Sequence, residues 1–204
     1  MARRDNPGAA AGRPARGQAT TETLQRAVQD LLEEAGYRAL TIEGVAARSG
    51  VAKTSIYRRW PSKAEMVFDL MLHSSAELPA VDDQGSLTGD IEALAARIVA
   101  LVAGPLGRRI FPGLIGDAAS DHALLQRLRA TFAADGRNQI SQVLERSVRR
   151  GELTDARAAA DLQAVLIGAA LMFALLRPDL GEGALRDKIT DLAMAVVHPR
   201  RNPP

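Results

Sequence analysis

Cysteine is absent from this 204-residue chain. That excludes a disulfide framework, thiolate metal ligands and a cysteine nucleophile. Histidine is scarce, and the three at positions 73, 122 and 198 are far apart with no HExxH spacing, so no metal site is expected. No GxSxG, GxGxxG or Walker A loop occurs, so neither catalytic residues nor a cofactor are expected. Aromatics number seven against 37 alanines, a balance that favours helix over strand. Long uncharged runs are missing too. The longest, residues 162–176 between Asp161 and Arg177, falls short of the roughly 20 residues that span a bilayer. The first residues carry arginines, then Asp5 and Pro7, with no apolar core of a secretory leader. A cytoplasmic protein without a membrane partner is the expectation.

What is present is an ordinary globular balance, 47% apolar and 25% charged, in a chain long enough for one domain or two small ones. The net charge of +2 hides an asymmetry. Residues 1–63 hold 11 Lys/Arg and 6 Asp/Glu, a net of +5; the other 15 and 18 leave −3 for residues 64–204. A basic head on a mildly acidic body points to a polyanion bound at one end.

Residues 1–18 are rich in Gly, Pro, Ala and Arg without apolar period and read as a disordered arm. From Thr21, Leu24, Ala27, Val28, Leu31, Leu32 and Ala35 mark one helical face, with Gly36 placed to end it. Thr41 is an N-cap candidate for a short helix over residues 42–49, and Gly50 stops it. Another short helix over residues 53–59 turns Ile56 inward; Pro61 breaks the chain and Ser62-x-x-Glu65 forms a capping box for the next helix. Further helices are expected over residues 91–103, over a shorter stretch to about 119, from 120 or 121 to about 150, from a cap at Thr154 to 176, and over residues 184–197. No period-2 strand is present, so the fold class is all-α.

Two short helices joined by a Gly-containing turn have the geometry of a helix-turn-helix. Ala46 is small where the helices cross, Gly50 can take a positive φ, and Val51 and Ile56 fill the space between. A wheel centred on Ile56 turns Thr54 and Arg58 outward, with Ser55 and Tyr57 beside them and Lys53 in the first turn. A solvated helix pair in a plain bundle would share the small-Gly-apolar pattern but has no need of this donor-rich face.

From residue 40 to 67 the segment LTIEGVAARSGVAKTSIYRRWPSKAEMV closely resembles the DNA-binding head of the tetracycline-repressor (TetR) family of bacterial transcriptional regulators. The shared marks are Thr41, Val45-Ala46, Gly50-Val51, Ile56-Tyr57, the aromatic at 60 and Lys63. The resemblance implies that Lys53, Thr54 and Ser55 face base edges, that Tyr57, Arg58 and Lys63 grip phosphates, and that Thr41 and Arg48 have lesser phosphate roles. Where such proteins usually carry a capping residue this chain has Ala52, so the recognition helix is expected to lack its N-cap.

The domain layout that follows is an arm over residues 1–18, a helix-turn-helix domain over 19–63, a linking helix over 64–78 and a helical ligand-binding and dimerisation domain over 79–204. The resemblance further implies a homodimer on a pseudo-palindromic double-stranded operator, released by a small-molecule effector. Residues 162–176 are apolar nearly all round and must be covered on more than one side. Ala160, Ala164 and Gly168 form a small-residue strip there, and Leu171 and Leu175 complete the candidate dimer face. Candidate pocket residues are Leu94, Ile98, Leu101, Phe111, Leu114, Ile115, Leu125, Leu128, Phe132, Met172 and Phe173, with Arg108, Arg109, Asp117 and His122 as polar candidates. Any bundle core would use the same apolar residues. Two other readings therefore stay open: a DNA-binding protein that answers to a protein partner or to no ligand, and a helical enzyme carrying a helix-turn-helix.

Overall fold

A computed structural model describes the backbone of residues 13–76 and 81–198, and the side chains of residues 20–71, 81–130 and 139–198. Among the described residues there are nine helices and no strand. They fall into two compact units, Met1–Leu70 and Met71–Pro204.

The first unit holds α1 (Arg13–Ala39), α2 (Ile42–Ser49), α3 (Lys53–Arg59) and the beginning of α4 (Lys63–Ala76). The helix α1 starts within the segment expected to be an arm; residues 1–12 of that segment lie outside the described residues. Gly36 interrupts α1 at φ 74° and ψ 174°, after which one further turn leads to Thr41. The Thr41 side chain accepts the Gly44 N–H at 3.0 Å and caps α2, and Gly50 closes α2 in the left-handed region at φ 69°. Inside, Leu24, Leu32, Val45, Ile56 and Met66 are buried, so the apolar stripe of each helix converges on one small core. The Trp60 ring is buried as well; its indole N–H donates to Asp69 at 2.8 Å, and the Arg59 guanidinium lies 4.4 Å from the ring centre. Arg59 also donates to Thr21 at 2.8 Å, which ties α3 back to α1.

In the second unit are the end of α4, α5 (Leu87–Ala103), α6 (Pro105–Ser120), α7 (His122–Arg149), α8 (Ala159–Leu176) and α9 (Glu182–Val197). The helix α9 packs on α5 and α8, and α7 packs on α8, α5 and α6. Ser86 caps α5 through the Gly89 N–H, and Asp121 caps α7 through two N–H groups. Between α5 and α6 the chain bends by 71°. A Cβ at Gly107 would lie 2.2 Å from the Leu101 carbonyl oxygen, so that bend requires glycine.

Thr154 does not cap α8, contrary to expectation. The helix begins at Ala159 behind Ala158 with no side-chain cap. Asp155 instead accepts the Arg157 backbone N–H at 3.0 Å and its guanidinium at 2.8 Å, a local turn that holds these residues out of the helix.

A buried carboxylate organises the body. Asp90 is fully buried and accepts from Gln84 N–H (2.9 Å), Arg146 (3.2 Å) and Arg150 (2.8 Å). Arg146 also donates to the Val81 carbonyl, and Glu152 accepts the Leu87 N–H at 3.0 Å. The loop before α5 is thereby clamped to the end of α7. Asp90, and Glu152 after it, raise the Arg150 pKa; the Leu87 N–H, and then Arg150, hold the Glu152 carboxyl below its ordinary range.

By length and composition α8 could cross a membrane, with a mean hydropathy of 2.0 over 18 residues, yet one face of it is the centre of the body core. Leu162, Leu166, Ala170 and Ala174 are buried there, while only 28% of the helix is buried within the chain. On its other sides Ala160, Ala164, Met172, Leu175 and Leu176 are exposed.

Candidate nucleic-acid interface

Burial separates the two sides of α3. Ile56 is completely buried and fixes the helix against the core, and its opposite face presents Lys53, Thr54, Tyr57 and Arg58 to solvent. Ser55 is half-buried at the edge of that face. The helix enters from Ala52, which offers no side-chain hydrogen bond, so its first N–H groups lack the capping oxygen that Thr41 supplies to α2.

Beside α3 lies a surface notch of about 310 Å³, whose walls include Arg38, Thr41, Glu43, Tyr57, Ser62 and Lys63. Two helix N-termini border it, α2 behind Thr41 and α4 at Lys63, where Ser62 accepts the Glu65 N–H at 3.2 Å. Backbone N–H groups at helix starts favour an anion, as do the hydroxyls and ammonium around them. Lys63 is held in place by its own hydrogen bond to the Tyr37 carbonyl (3.2 Å) and by the Tyr37 ring 4.6 Å below it. Of the eight residues assigned to DNA, the notch brings together Thr41, Tyr57 and Lys63, and the outer face of α3 groups Lys53, Thr54 and Arg58.

Arg48 has a different setting. It makes a bidentate pair with Glu34 at 2.9 and 2.7 Å, with Asp30 at 3.6 Å, and so bolts α2 to α1. Glu34, first by hydrogen bonding and then by charge, raises the Arg48 pKa. Lys53 likewise has an acidic partner, Glu43, in the first turn of α2. Sequence reasoning missed Glu34, Glu43 and Arg38. A wheel drawn on one helix says nothing about which acid on a neighbouring helix meets its cations.

Among the pocket candidates, Leu94 and Phe111 are part of the main body core, and Ile98, Leu101 and Phe173 pack against it. Leu114 and Leu128 are buried, Leu125 is half-buried, and the side chain of Phe132 lies outside the described residues. Ile115 and Met172 are 42% and 51% exposed. The Arg108 guanidinium donates to the Ala103 carbonyl at 2.6 Å and the Ala174 carbonyl at 2.8 Å, so it caps the ends of α5 and α8. Arg109 and His122 are on the surface and Asp117 is half-buried. Of the dimer candidates, Ala160, Ala164 and Leu175 are exposed while Gly168 and Leu171 are half-buried; nothing lies within 4 Å of a Cβ built at Gly168. Leu176 at 68% and Leu192 at 43% exposure extend the same apolar character; Leu176 ends the apolar run seen in the sequence, and neither was among the dimer candidates.

Comparison with known proteins agrees with this division. Residues 26–70 match the family described as bacterial regulatory proteins, tetR family, and residues 81–193, more than half of the chain, match the tetracyclin repressor-like C-terminal domain. The chain is 32% identical over 144 residues to the HTH-type transcriptional regulator YdeS of Bacillus subtilis, covering 71% of this chain and 72% of that protein. It is also 32% identical over 139 residues to the DNA-binding transcriptional repressor TetR of Mycobacteroides abscessus, covering 68% and 73%. A crystal structure of the TetR family transcription regulator SCO0332 superposes with a TM-score of 0.67 at 28% identity, covering 86% of this chain and 97% of that one. In fold alone the chain is similar to FadR of Bacillus subtilis in complex with stearoyl-CoA, with a TM-score of 0.56 at 16% identity over 87% and 99% of the two chains. The chain belongs to the tetracycline-repressor family of bacterial helix-turn-helix transcriptional regulators.

Proposed function

We propose that this regulator is a homodimeric repressor which reads a pseudo-palindromic operator and is released by a small, mainly hydrophobic effector. The observation that carries the reading is the outer face of α3, where Lys53, Thr54 and Arg58 stand exposed on a helix pinned by the buried Ile56, next to the notch lined by Thr41, Tyr57 and Lys63. In a major groove the Lys53 ammonium would donate to guanine O6 or N7, and the Thr54 methyl would pack on that of thymine, with Ser55 alongside. Phosphate oxygens would take Tyr57, Arg58, Lys63 and the N-terminus of α2 at Thr41. Arg48 would serve as a secondary phosphate contact only by loosening its pair with Glu34.

In this reading residues 19–63 form the DNA-binding domain, residues 64–78 the linking helix, and residues 79–204 the ligand-binding and dimerisation domain. The open apolar surface of α8 and α9 supports the dimer. A second copy covers Gly168, Leu171, Leu175, Leu176 and Leu192 with the same residues, as a two-fold interface requires. The FadR structure with stearoyl-CoA supports an acyl-like effector for a body of this fold. An effector bound there would change operator affinity through α4 by about 5–150-fold, a coupling of about 1–3 kcal/mol.

The test is selection of the purified protein against random duplex DNA. An inverted repeat should emerge, and Lys53→Ala or Thr54→Ala should each weaken it by about 1–3 kcal/mol. Weak, steeply salt-dependent binding without a consensus would reduce the head to electrostatic attachment. Operator affinity that no acyl or hydrophobic compound alters would remove the effector from the proposal.

A further inference from the structure

Lys53 is not a free cation searching for a base. Its ammonium pairs with the Glu43 carboxylate, from the first turn of α2, and lies 5.5 Å from the centre of the Tyr57 ring. Both members of the pair remain about half exposed, so the ammonium keeps N–H groups for a third partner. Glu43 also lines the notch that Thr41, Tyr57 and Lys63 share. A carboxylate beside a phosphate site is repulsive unless a cation neutralises it. Breaking the pair on DNA would leave Glu43 unneutralised at that wall, so the pair has reason to persist when DNA is bound. A lysine has four rotatable bonds, and pinning its head from two sides removes much of the rotamer freedom that a base contact would otherwise take away.

We infer that Glu43 is a positioning residue for base reading: through its ion pair it aims Lys53 at a base edge and keeps it off the phosphates. The inference rests on the DNA reading proposed above. On the operator, Lys53 holds Glu43 with one N–H and donates the others to a base. On other sequences the pair stays closed, and Lys53 contributes little to phosphate binding.

The experiment compares wild type, Glu43→Gln, Lys53→Ala and the double variant on the selected operator, on operators changed at each base pair, and on unrelated duplex DNA over a range of salt. Glu43→Gln keeps the shape of the side chain and lies on the surface, so an unchanged unfolding curve accompanies it. Its operator affinity is expected to fall about 3–10-fold while unrelated DNA is bound more tightly, with the salt slope steeper by about 0.9 as Lys53 takes one more phosphate. Discrimination at the base pair that Lys53→Ala identifies should relax to within about three-fold, where a good side-chain contact gives about 5–150-fold. In the Lys53→Ala background Glu43→Gln should leave base discrimination unaltered. A rise in operator affinity with discrimination kept would overturn the inference, since Glu43 would then be a competitor of DNA and not a guide. Equal changes on all sequences would overturn it as a general charge effect. Absence of any selected operator for wild type overturns the DNA reading itself, whereas an operator that responds to Lys53→Ala but not to Glu43→Gln overturns the positioning role alone.

Discussion

The head and the body finish their surfaces in opposite ways. In the head, among the described residues, Tyr57 is the one large hydrophobic side chain left exposed, and it carries a hydroxyl. The body leaves Ile115, Met172, Leu175, Leu176 and Leu192 exposed, four of them on α8 and α9. A helix whose core face is already satisfied by Leu162, Leu166 and Ala170 gains nothing from further leucines unless something apolar covers them. The proposed reading uses that difference: a polar, charged partner for the head and an apolar one, a second copy, for the body.

The sharpest way to break that contrast is to make the outer face of the body polar. Leu175→Glu together with Leu192→Glu places four carboxylates in the proposed two-fold interface while leaving the buried side of α8 untouched. Central interface hot spots cost about 2 kcal/mol or more each when lost, and charges buried there cost further, so the dimer should weaken by about 10³-fold or more. Sedimentation should then give a monomer with intact helicity, and operator binding should collapse to that of a single half-site. An unchanged mass would show that another surface joins the copies.

Asp90 probes the inside of the body. Asp90→Ala leaves Arg146 and Arg150 facing each other across a buried gap, and removing one partner of such a pair costs about 3–5 kcal/mol. Thermal unfolding of the body should drop by roughly 10 °C or more, with no equal loss in the head. The same clamp sets a pH dependence. Glu152 and Asp83 have pKa values lowered by the N–H groups of Leu87 and Gly85 and by Arg150. A carboxyl with a depressed folded pKa contributes stability that is full above its unfolded value and lost as pH falls through the folded one. The body should lose stability below about pH 4.5, the ordinary value of glutamate. A body equally stable at pH 3.5 and 7 would show that the hydrogen bonds to the ionised Glu152 and Asp83 add no stability.

How much of this was legible beforehand follows from the range of the forces involved. The limits of α2 and α3 were readable because Thr41, Gly50 and Pro61 act on their immediate neighbours. The outward set on α3 was readable because one buried residue, Ile56, fixes a wheel. Residue 154 misled because Asp155 competes for the same turn with a bond to its own second neighbour, and both are capping types. The start of α5 was missed behind a polar run, although Ser86 with Gly89 three residues on is a local cap. Asp90 was out of reach. Its two arginine partners are 56 and 60 residues away, and only the folded chain brings them together. The pairing of Lys53 with Glu43, across two helices, was hidden for the same reason.

The gentlest perturbation compares two helix starts within the head. Both α2 and α3 are short, of eight and seven residues, and both need tertiary contacts because an isolated helix of that length is unstable in water. They differ in their caps. Thr41 gives α2 a side-chain acceptor, whereas Ala52 gives α3 none, although its backbone at φ −58° and ψ 130° already lies outside the helix. Ala52→Ser places a hydroxyl within reach of the Thr54 N–H, since the Ser55 N–H already donates to the Ala52 carbonyl at 2.8 Å, and should stabilise the head by about 0.5–2 kcal/mol; Thr41→Ala should remove a similar amount. Thermal unfolding and amide exchange across residues 53–56 would read the two changes, which should be opposite in sign. If the exchange rates stay unchanged in Ala52→Ser, the missing cap does not govern the mobility of α3. If they slow and operator affinity rises about two-fold or more, part of the free energy of DNA binding in the natural protein goes into ordering its own recognition helix.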